Sequence, residues 1–340
     1  MKRILLVALV KIVLLWPLNG QTAGEGVFSF LQWTNAPQAA ALGGIQVALP
    51  DADPGLLQQN PALLSPEMNN NLSANYASYL AGIGFGYGTY ARDLGKFGMT
   101  AVGIQFADYG QFVAADENGV ITGTFGASDY ALVLTYAKQL GSFFTVGASL
   151  KPIYSQLENY HSFGITTDWG IVYRHANQLT TLALCIKDLG TQLTTYYDGG
   201  PREKIIGSLR LGLTHQLQHA PLRFSITAYD LNCWNPQVSA TDPNGVAANN
   251  GETSPFAMLM RHLSPGAELF PDQKITFRIG YNYRRKDDLS NTYHTGMTGL
   301  TAGMGIHLSF LRVNYALSGY MAGMVHNFSL TANLSRFTGK

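Results

Sequence analysis

From residue 71 onward the chain alternates apolar and polar residues with a period of two, the mark of strands whose faces meet unlike surroundings. Leu300, Ala302, Met304, Ile306, Leu308 and Phe310 alternate with Thr301, Gly303, Gly305, His307 and Ser309. Phe277, Ile279 and Tyr281 alternate with Arg278 and Gly280, and Phe328, Leu330, Ala332 and Leu334 with Ser329, Thr331 and Asn333. Read this way, the sequence predicts strands over 72–80, 82–91, 97–107, 129–140, 143–157, 163–175, 179–188, 204–217, 222–231, 255–268, 273–284, 299–309, 311–320 and 324–336. The count is even, as bacterial single-chain barrels require. A very short first connection near Ala81, and Pro265 and Gly266 within strand ten, leave twelve or sixteen strands open.

The predicted connections also alternate. Short ones (92–96, 141–142, 175–178, 218–221, 270–272 and the join near Phe310) follow even-numbered strands, and longer ones (108–128, 190–203, 232–254, 285–298) follow odd-numbered strands. Short turns belong on the periplasmic side of an outer-membrane barrel, which predicts periplasmic termini.

Alternation alone also suits a soluble sandwich. The apolar faces, however, run for the 9–11 residues that a tilted strand needs to cross hydrocarbon. The polar faces carry Lys151, Arg174, Lys187, Arg210, Arg223, Arg278 and Arg312 deep inside strands, where a water-filled or plugged lumen would keep them solvated. Composition agrees. Charged residues are 13% of the chain, about half the usual share, with Gly at 37, Tyr at 18 and Phe at 17. Mean hydropathy is +0.03, too polar for a helical membrane protein. The fold class expected is an all-β transmembrane antiparallel barrel, whose closure leaves no backbone edge in lipid. A net charge of +1 gives no reason to expect nucleic acid as a partner.

The remaining organisation is N-terminal. Residues 1–23 read as a signal peptide: Lys2 and Arg3 precede an apolar run that ends near Leu18, with cleavage after Gly20 or Ala23. Residues 24–70 are too apolar for a free tail (Val27, Phe28, Phe30, Leu31, Trp33) and read as a plug in the periplasmic half of the barrel, residues 71–340. Asn60 would cap a helical turn that begins at Pro61. Gly82, Gly84, Gly86 and Gly88 share one face of strand two, either to admit the plug closely or to relieve crowding in a coiled strand.

No nucleophile elbow, metalloprotease helix, Cys-x-x-Cys pair or phosphate loop is present, so no catalytic residue, metal or cofactor is expected. Asp168 and His307 are placed on lumen walls as solvated groups. Arg284, Arg285, Lys286, Asp287 and Asp288 mark where strand eleven leaves the membrane, as a solvated loop root or a contact for lipopolysaccharide or a partner. Cys185 and Cys233 lie two strands apart, roughly 10 Å along the wall. A disulfide between them needs the intervening outer loop to fold inward.

The opening block carries a resemblance. Gly24 to Leu31, Gln38-Ala39-Ala40-Ala41-Leu42-Gly43-Gly44, Asp51-Ala52-Asp53 and Gln59-Asn60-Pro61-Ala62-Leu63-Leu64 resemble the start of the PorV/PorQ group of type IX secretion barrels of Bacteroidetes. That group is related to fatty-acid-transporter barrels, whose fourteen strands enclose an N-terminal hatch with a similar Asn-Pro-Ala element. The resemblance implies a cell-surface attachment complex in which a PorQ-type barrel holds a surface-exposed PorZ-like protein near PorU and PorV. That complex removes a cargo signal and joins cargo to anionic lipopolysaccharide. The barrel itself would be an anchor that docks its partner through outer loops, with 108–128 and 232–254 the longest. Transport of long-chain fatty acids or other small hydrophobic molecules is the alternative.

Overall fold

The computed structural model describes residues 26–79, 82–234, 254–271, 273–289, 296–320 and 323–336. The expected signal peptide and most of the 232–254 connection lie outside these residues. Fourteen strands form one closed antiparallel barrel, each hydrogen-bonded to its neighbours in sequence and β1 to β14. They are β1 (Asn71–Ser78), β2 (Gly84–Asp93), β3 (Met99–Ala115), β4 (Ile121–Leu140), β5 (Phe144–Leu157), β6 (Tyr160–Arg174) and β7 (Thr180–Gln192) in the first half. The second half holds β8 (Ser208–Gln216), β9 (Leu222–Ala228), β10 (Leu263–Leu269), β11 (Ile275–Tyr281), β12 (Leu300–His307), β13 (Leu311–Tyr320) and β14 (Gly323–Asn333). The seam is in register, with Asn71 opposite Asn333 and Ser78 opposite His326.

Alternation becomes two unlike faces. Ser73, Asn75, Thr135, Ser149, Thr227 and Asn327 point inward and are buried, while Val102, Ile104, Tyr130, Trp169, Phe224 and Phe328 point outward and are exposed. Such an apolar outer belt would be costly in water and is favourable against lipid tails, while the strand ladders satisfy the backbone internally.

The connections after even-numbered strands are all turns of three to five residues. Those after β7, β9 and β11 are long and gather at the opposite end. Three sequence expectations change here. Strand ten does not begin at residue 255: Ser254 caps a short helix, α2 (Pro255–Arg261), with Pro255 at its first position, and β10 follows. Strand eleven stops at Tyr281, and Tyr283–Leu289 forms the helix α3. Residues 108–128 are not an irregular loop but the outer part of a β3–β4 hairpin, turning at 116–120.

Residues 26–70 lie among the inward-facing side chains. Val27 bridges Ile205, in the β7–β8 connection at the long-loop end. At the other end, residues 62–66 abut the short turns at Gly95, Gly98 and Ser142. The segment therefore runs the height of the barrel rather than filling its short-turn half. Its first described residues stand at the end opposite Asn333; the N-terminus expected in the periplasm lies outside the described residues. It contains one α-helical turn, α1 (Pro37–Ala41), and 3-10 turns at Pro54–Gln58 and Pro61–Leu63. Leu42, Leu49, Leu56, Leu57 and Leu64 are almost wholly buried in it.

Of the two readings of the strand-two glycines, the one in which they admit the plug is overturned, while relief of crowding agrees with their surroundings. In β2 the inward residues are Phe85, Tyr87, Thr89 and Ala91. Gly84 and Gly86 sit on the other parity, under Tyr76 and Phe106. The glycines that admit the N-terminal segment are on other strands. A Cβ on Gly147 would stand 2.6 Å from the backbone of Pro61 and Ala62, one on Gly212 2.7 Å from Val47, and one on Gly303 2.7 Å from Ala41. On Gly280 it would meet the backbone of Leu42 and Gly43.

Candidate functional site in the lumen and at the long-loop end

The quoted motifs build the contacts of the segment with the wall. Asn60 is fully buried; its Oδ1 accepts from the Ala62 amide at 2.9 Å, and its Nδ2 donates to the Val47 carbonyl at 2.9 Å. Pro61 follows at the first turn position, where no donor is needed. Gly43 and Gly44 have φ of 95° and 97°, a region closed to most side chains. The Gly43 amide donates to Thr301 Oγ1 at 3.0 Å, and its carbonyl accepts from Asn282 Nδ2 at 3.0 Å. Asp53, also buried, accepts from Gln38, Gly55 and Ser73 at 2.6–2.9 Å, which ties α1, the next turn and β1 together.

Five of the seven inward cations, Lys151, Lys187, Arg210, Arg223 and Arg278, are buried rather than solvated as expected. Lys151 is 1% exposed and contacts Asp168 at 2.6 Å and Asp188 at 2.7 Å. Opposite Asp168 the register jumps from Thr167↔Leu189 to Trp169↔Ile186, and Asp188 has φ 57°. This bulge turns two consecutive residues, Lys187 and Asp188, into the lumen. The Asp188 amide then donates to Asp168 Oδ1 at 2.8 Å. Asp168 is thus an ion-pair partner rather than a solvated wall group.

A second network fastens the segment itself. Glu268 on β10 pairs with Arg223 on β9 and, at 2.8 Å, with Arg278 on β11. Asp51 reaches Arg312 at 2.8 Å and Arg278 at 3.4 Å. Buried charges require such partners, because an uncompensated one costs several kcal/mol. Sequence reasoning found these cations but missed Glu268, Asp51 and Asp188. The Lys187-Asp188 pair was a readable sign of a bulge, since two adjacent charges cannot share a face in regular alternation.

At the long-loop end, Arg284 lies over the Tyr229 ring at 4.5 Å and pairs with Asp230 at 2.5 Å, while Arg261 of α2 holds Asp287 and Asp288 of α3. Arg284 and Arg285 are thus held within the connections, while Lys286, Asp287 and Asp288 remain exposed, as expected of a solvated loop root. Burial alone would raise the Asp230 carboxyl; Arg284 and Arg210 more than reverse this and hold it below the ordinary range. Trp33 packs at 5.1 Å from Phe85 and 5.7 Å from Tyr109, and Tyr79 at 5.1 Å from Tyr320, forming an aromatic nest around the segment. Cys185 is buried on the inward face, and no disulfide joins it to Cys233. His307 is inward near the β12–β13 turn and half-buried.

Two clefts remain. One of about 270 Å³ lies at the short-turn end, between Leu63, Leu64, Met99, Val172 and Arg174. The other, about 470 Å³, lies where the β3–β4 hairpin leaves the barrel. Among the described residues no group of histidine, cysteine and carboxylate side chains could hold a metal ion.

No family model and no curated protein matches the chain. Solved structures do. A deletion mutant of the TodX monoaromatic hydrocarbon channel is similar with a TM-score of 0.55 and 16% identity over 90% of this chain and 98% of that one. The toluene transporter TbuX of Ralstonia pickettii gives 0.54 and 14% over 90% and 100%. A FadL homologue of Pseudomonas aeruginosa gives 0.51 and 12% over 92% and 100%. At such identities the likeness is one of architecture: this chain is a closed fourteen-stranded antiparallel barrel with the fold of these three proteins.

Proposed function

We propose that the chain is an outer-membrane anchor that docks a surface protein through its long-loop end, in the manner of the PorQ-type barrels of type IX secretion. The observation that carries this reading is where the fold puts its elaboration. The interior is occupied from end to end by the N-terminal segment and its ion pairs, while one end carries the β3–β4 hairpin, α2, α3 and the long connections. That end would face outward and the short turns the periplasm, as in other outer-membrane barrels. The motifs that resemble the PorV/PorQ group are the ones that seat the segment: Asn60-Pro61-Ala62 against β5 and β6, and Gly43-Gly44 against β11 and β12. The partner would be a PorZ-like surface protein, held near PorU and PorV. A stable contact needs on the order of 1,200 Å² of buried surface, within reach of several long connections together. The test is deletion of residues 110–125 with a short turn in their place. The barrel should still assemble, and the PorZ-like protein should be released from intact cells; its retention would refute docking through this hairpin.

A second reading, passage of small hydrophobic molecules, is favoured by the neighbours, which are described as hydrocarbon channels, a toluene transporter and a FadL homologue. It requires the segment or the wall to open a path. Uptake of a labelled long-chain fatty acid or of toluene that depends on this chain would establish it in place of the anchor.

A further inference from the structure

The β3–β4 hairpin outgrows its neighbours. β2 pairs with β3 only as far as Gly84↔Asp108, and β5 with β4 only as far as Ala127↔Leu157. Beyond these points β3 and β4 pair only with each other, from Gln111↔Gly126 to Ala115↔Ile121. A two-stranded ribbon turns alternate amides and carbonyls of each strand away from its partner, and such edges are ordinarily guarded by lysine, proline or brevity. This ribbon lacks lysine and proline, and its pairing is interrupted only by register shifts between Asp108 and Gln111 and between Ala114 and Ala115. Residues 109–126 contain no Lys, Arg or Pro, and their only charges, Asp116 and Glu117, sit at the tip. Phe112 and Val113, adjacent in β3 and so on opposite faces, are 41% and 63% exposed, so both faces show apolar side chains. An isolated ribbon of this kind is marginal by itself and gains from a further strand.

The β4 edge also has a built end. The Glu158 amide, in the β5–β6 turn, donates to the Gly126 carbonyl at 3.1 Å and closes the edge there, leaving residues 121–125 open. Beside that point lies the 470 Å³ cleft, lined by Asp108, Gln111, Thr124, Tyr130, Gln156 and Glu158 among others. Its lining holds two carboxylates and no cation. An apolar ligand would strand these polar groups and an anion would be repelled, whereas a lysine or arginine is complementary to them.

We propose that the β4 edge at residues 121–125 takes up an extended segment of a surface protein as an added strand, with a basic residue at one end of that segment seated between Asp108 and Glu158. This rests on the docking reading and specifies its chemistry: main-chain hydrogen bonds give affinity, and the cleft gives register and preference.

The probes are two capped peptides of alternating valine and threonine, one ending in lysine and one in glutamate, added to the full barrel purified in detergent. The lysine peptide should bind at least tenfold more tightly than the glutamate peptide, and it should protect the amides of 121–125 from hydrogen exchange. Replacing Asp108→Asn together with Glu158→Gln, at exposed positions outside the folded core, should remove the tenfold preference. Equal binding of the two peptides, no binding, or protection elsewhere overturns the proposal. If the 110–125 deletion releases the surface protein while neither peptide binds, docking stands and strand addition falls. If the deletion retains the surface protein, docking through this hairpin falls, and the native role of the edge with it.

Discussion

Asn60 Oδ1 occupies the place that a Cβ on Gly170 would take, so a residue of the N-terminal segment and a residue of the β6 wall are fitted to each other. The same oxygen caps the turn at Ala62, which leaves it little freedom to retreat.

Gly170→Ala should destabilise the barrel by about 1–3 kcal/mol through overpacking, and Asn60→Ala by about 1 kcal/mol through loss of the cap. The double mutant should lose less than the sum, because removing the amide relieves the methyl clash. Urea unfolding in detergent, followed by tryptophan fluorescence, measures all three; strict additivity would show that the two residues do not press on each other.

Lys151 pairs with both Asp168 and Asp188 inside the lumen. Lys151→Met should cost about 3–5 kcal/mol, because it leaves buried carboxylates uncompensated. Combining it with Asp168→Asn and Asp188→Asn should restore most of that loss. The thermal midpoint of the heat-modifiable band on gels reads this out, and a single mutant as stable as the parent would argue against the ion pairs.

Asp51 ties the segment to Arg312 and Arg278. Asp51→Ala should loosen the segment while the wall stays closed. A hydrogen bond to a charged group contributes roughly 1.5–3 kcal/mol, so transient release should rise about tenfold or more. Single-channel conductance in planar bilayers should show more frequent openings, with unchanged assembly of the barrel.

Asp230 titrates below its ordinary 3.8. A depressed carboxyl stabilises the fold above its unfolded-state value, and the contribution is lost as pH falls through the folded value. Protection of the amides of residues 229–234, taken relative to the intrinsic exchange rate at each pH, should therefore be high at pH 5 and fall as pH is lowered from about 4 toward 3. Asp230→Asn should remove that dependence and show low protection at both pH values.

Much of the barrel was legible because its signal is local. Thr301 and Ala302 differ in face whatever the rest of the chain does, and a period of two with one lipid-like face marks each strand by itself. β12 and β13 accordingly fall where the alternation places them. The failures cluster at the long-loop end. Residues 255–261 are apolar enough for a strand, but Ser254 and Pro255 start a helix there, and that choice is local chemistry weighed too lightly. The hairpin beyond Asp108 is long because β3 and β4 pair with each other past their neighbours, a cross-strand fact that no single segment reveals.

The sequence by itself determined the class of the fold, the even strand count, the two unlike faces and the motif that seats the N-terminal segment, since each depends on residues close together in the chain. Only the tertiary structure decided that Glu268 stands between Arg223 and Arg278, that Asp51 reaches Arg312, and that Gly147, Gly170 and Gly212, rather than the glycines of β2, admit the segment. Those relationships depend on register across the closed sheet and on where the segment threads it. A shift of one residue would turn every such side chain to the opposite face.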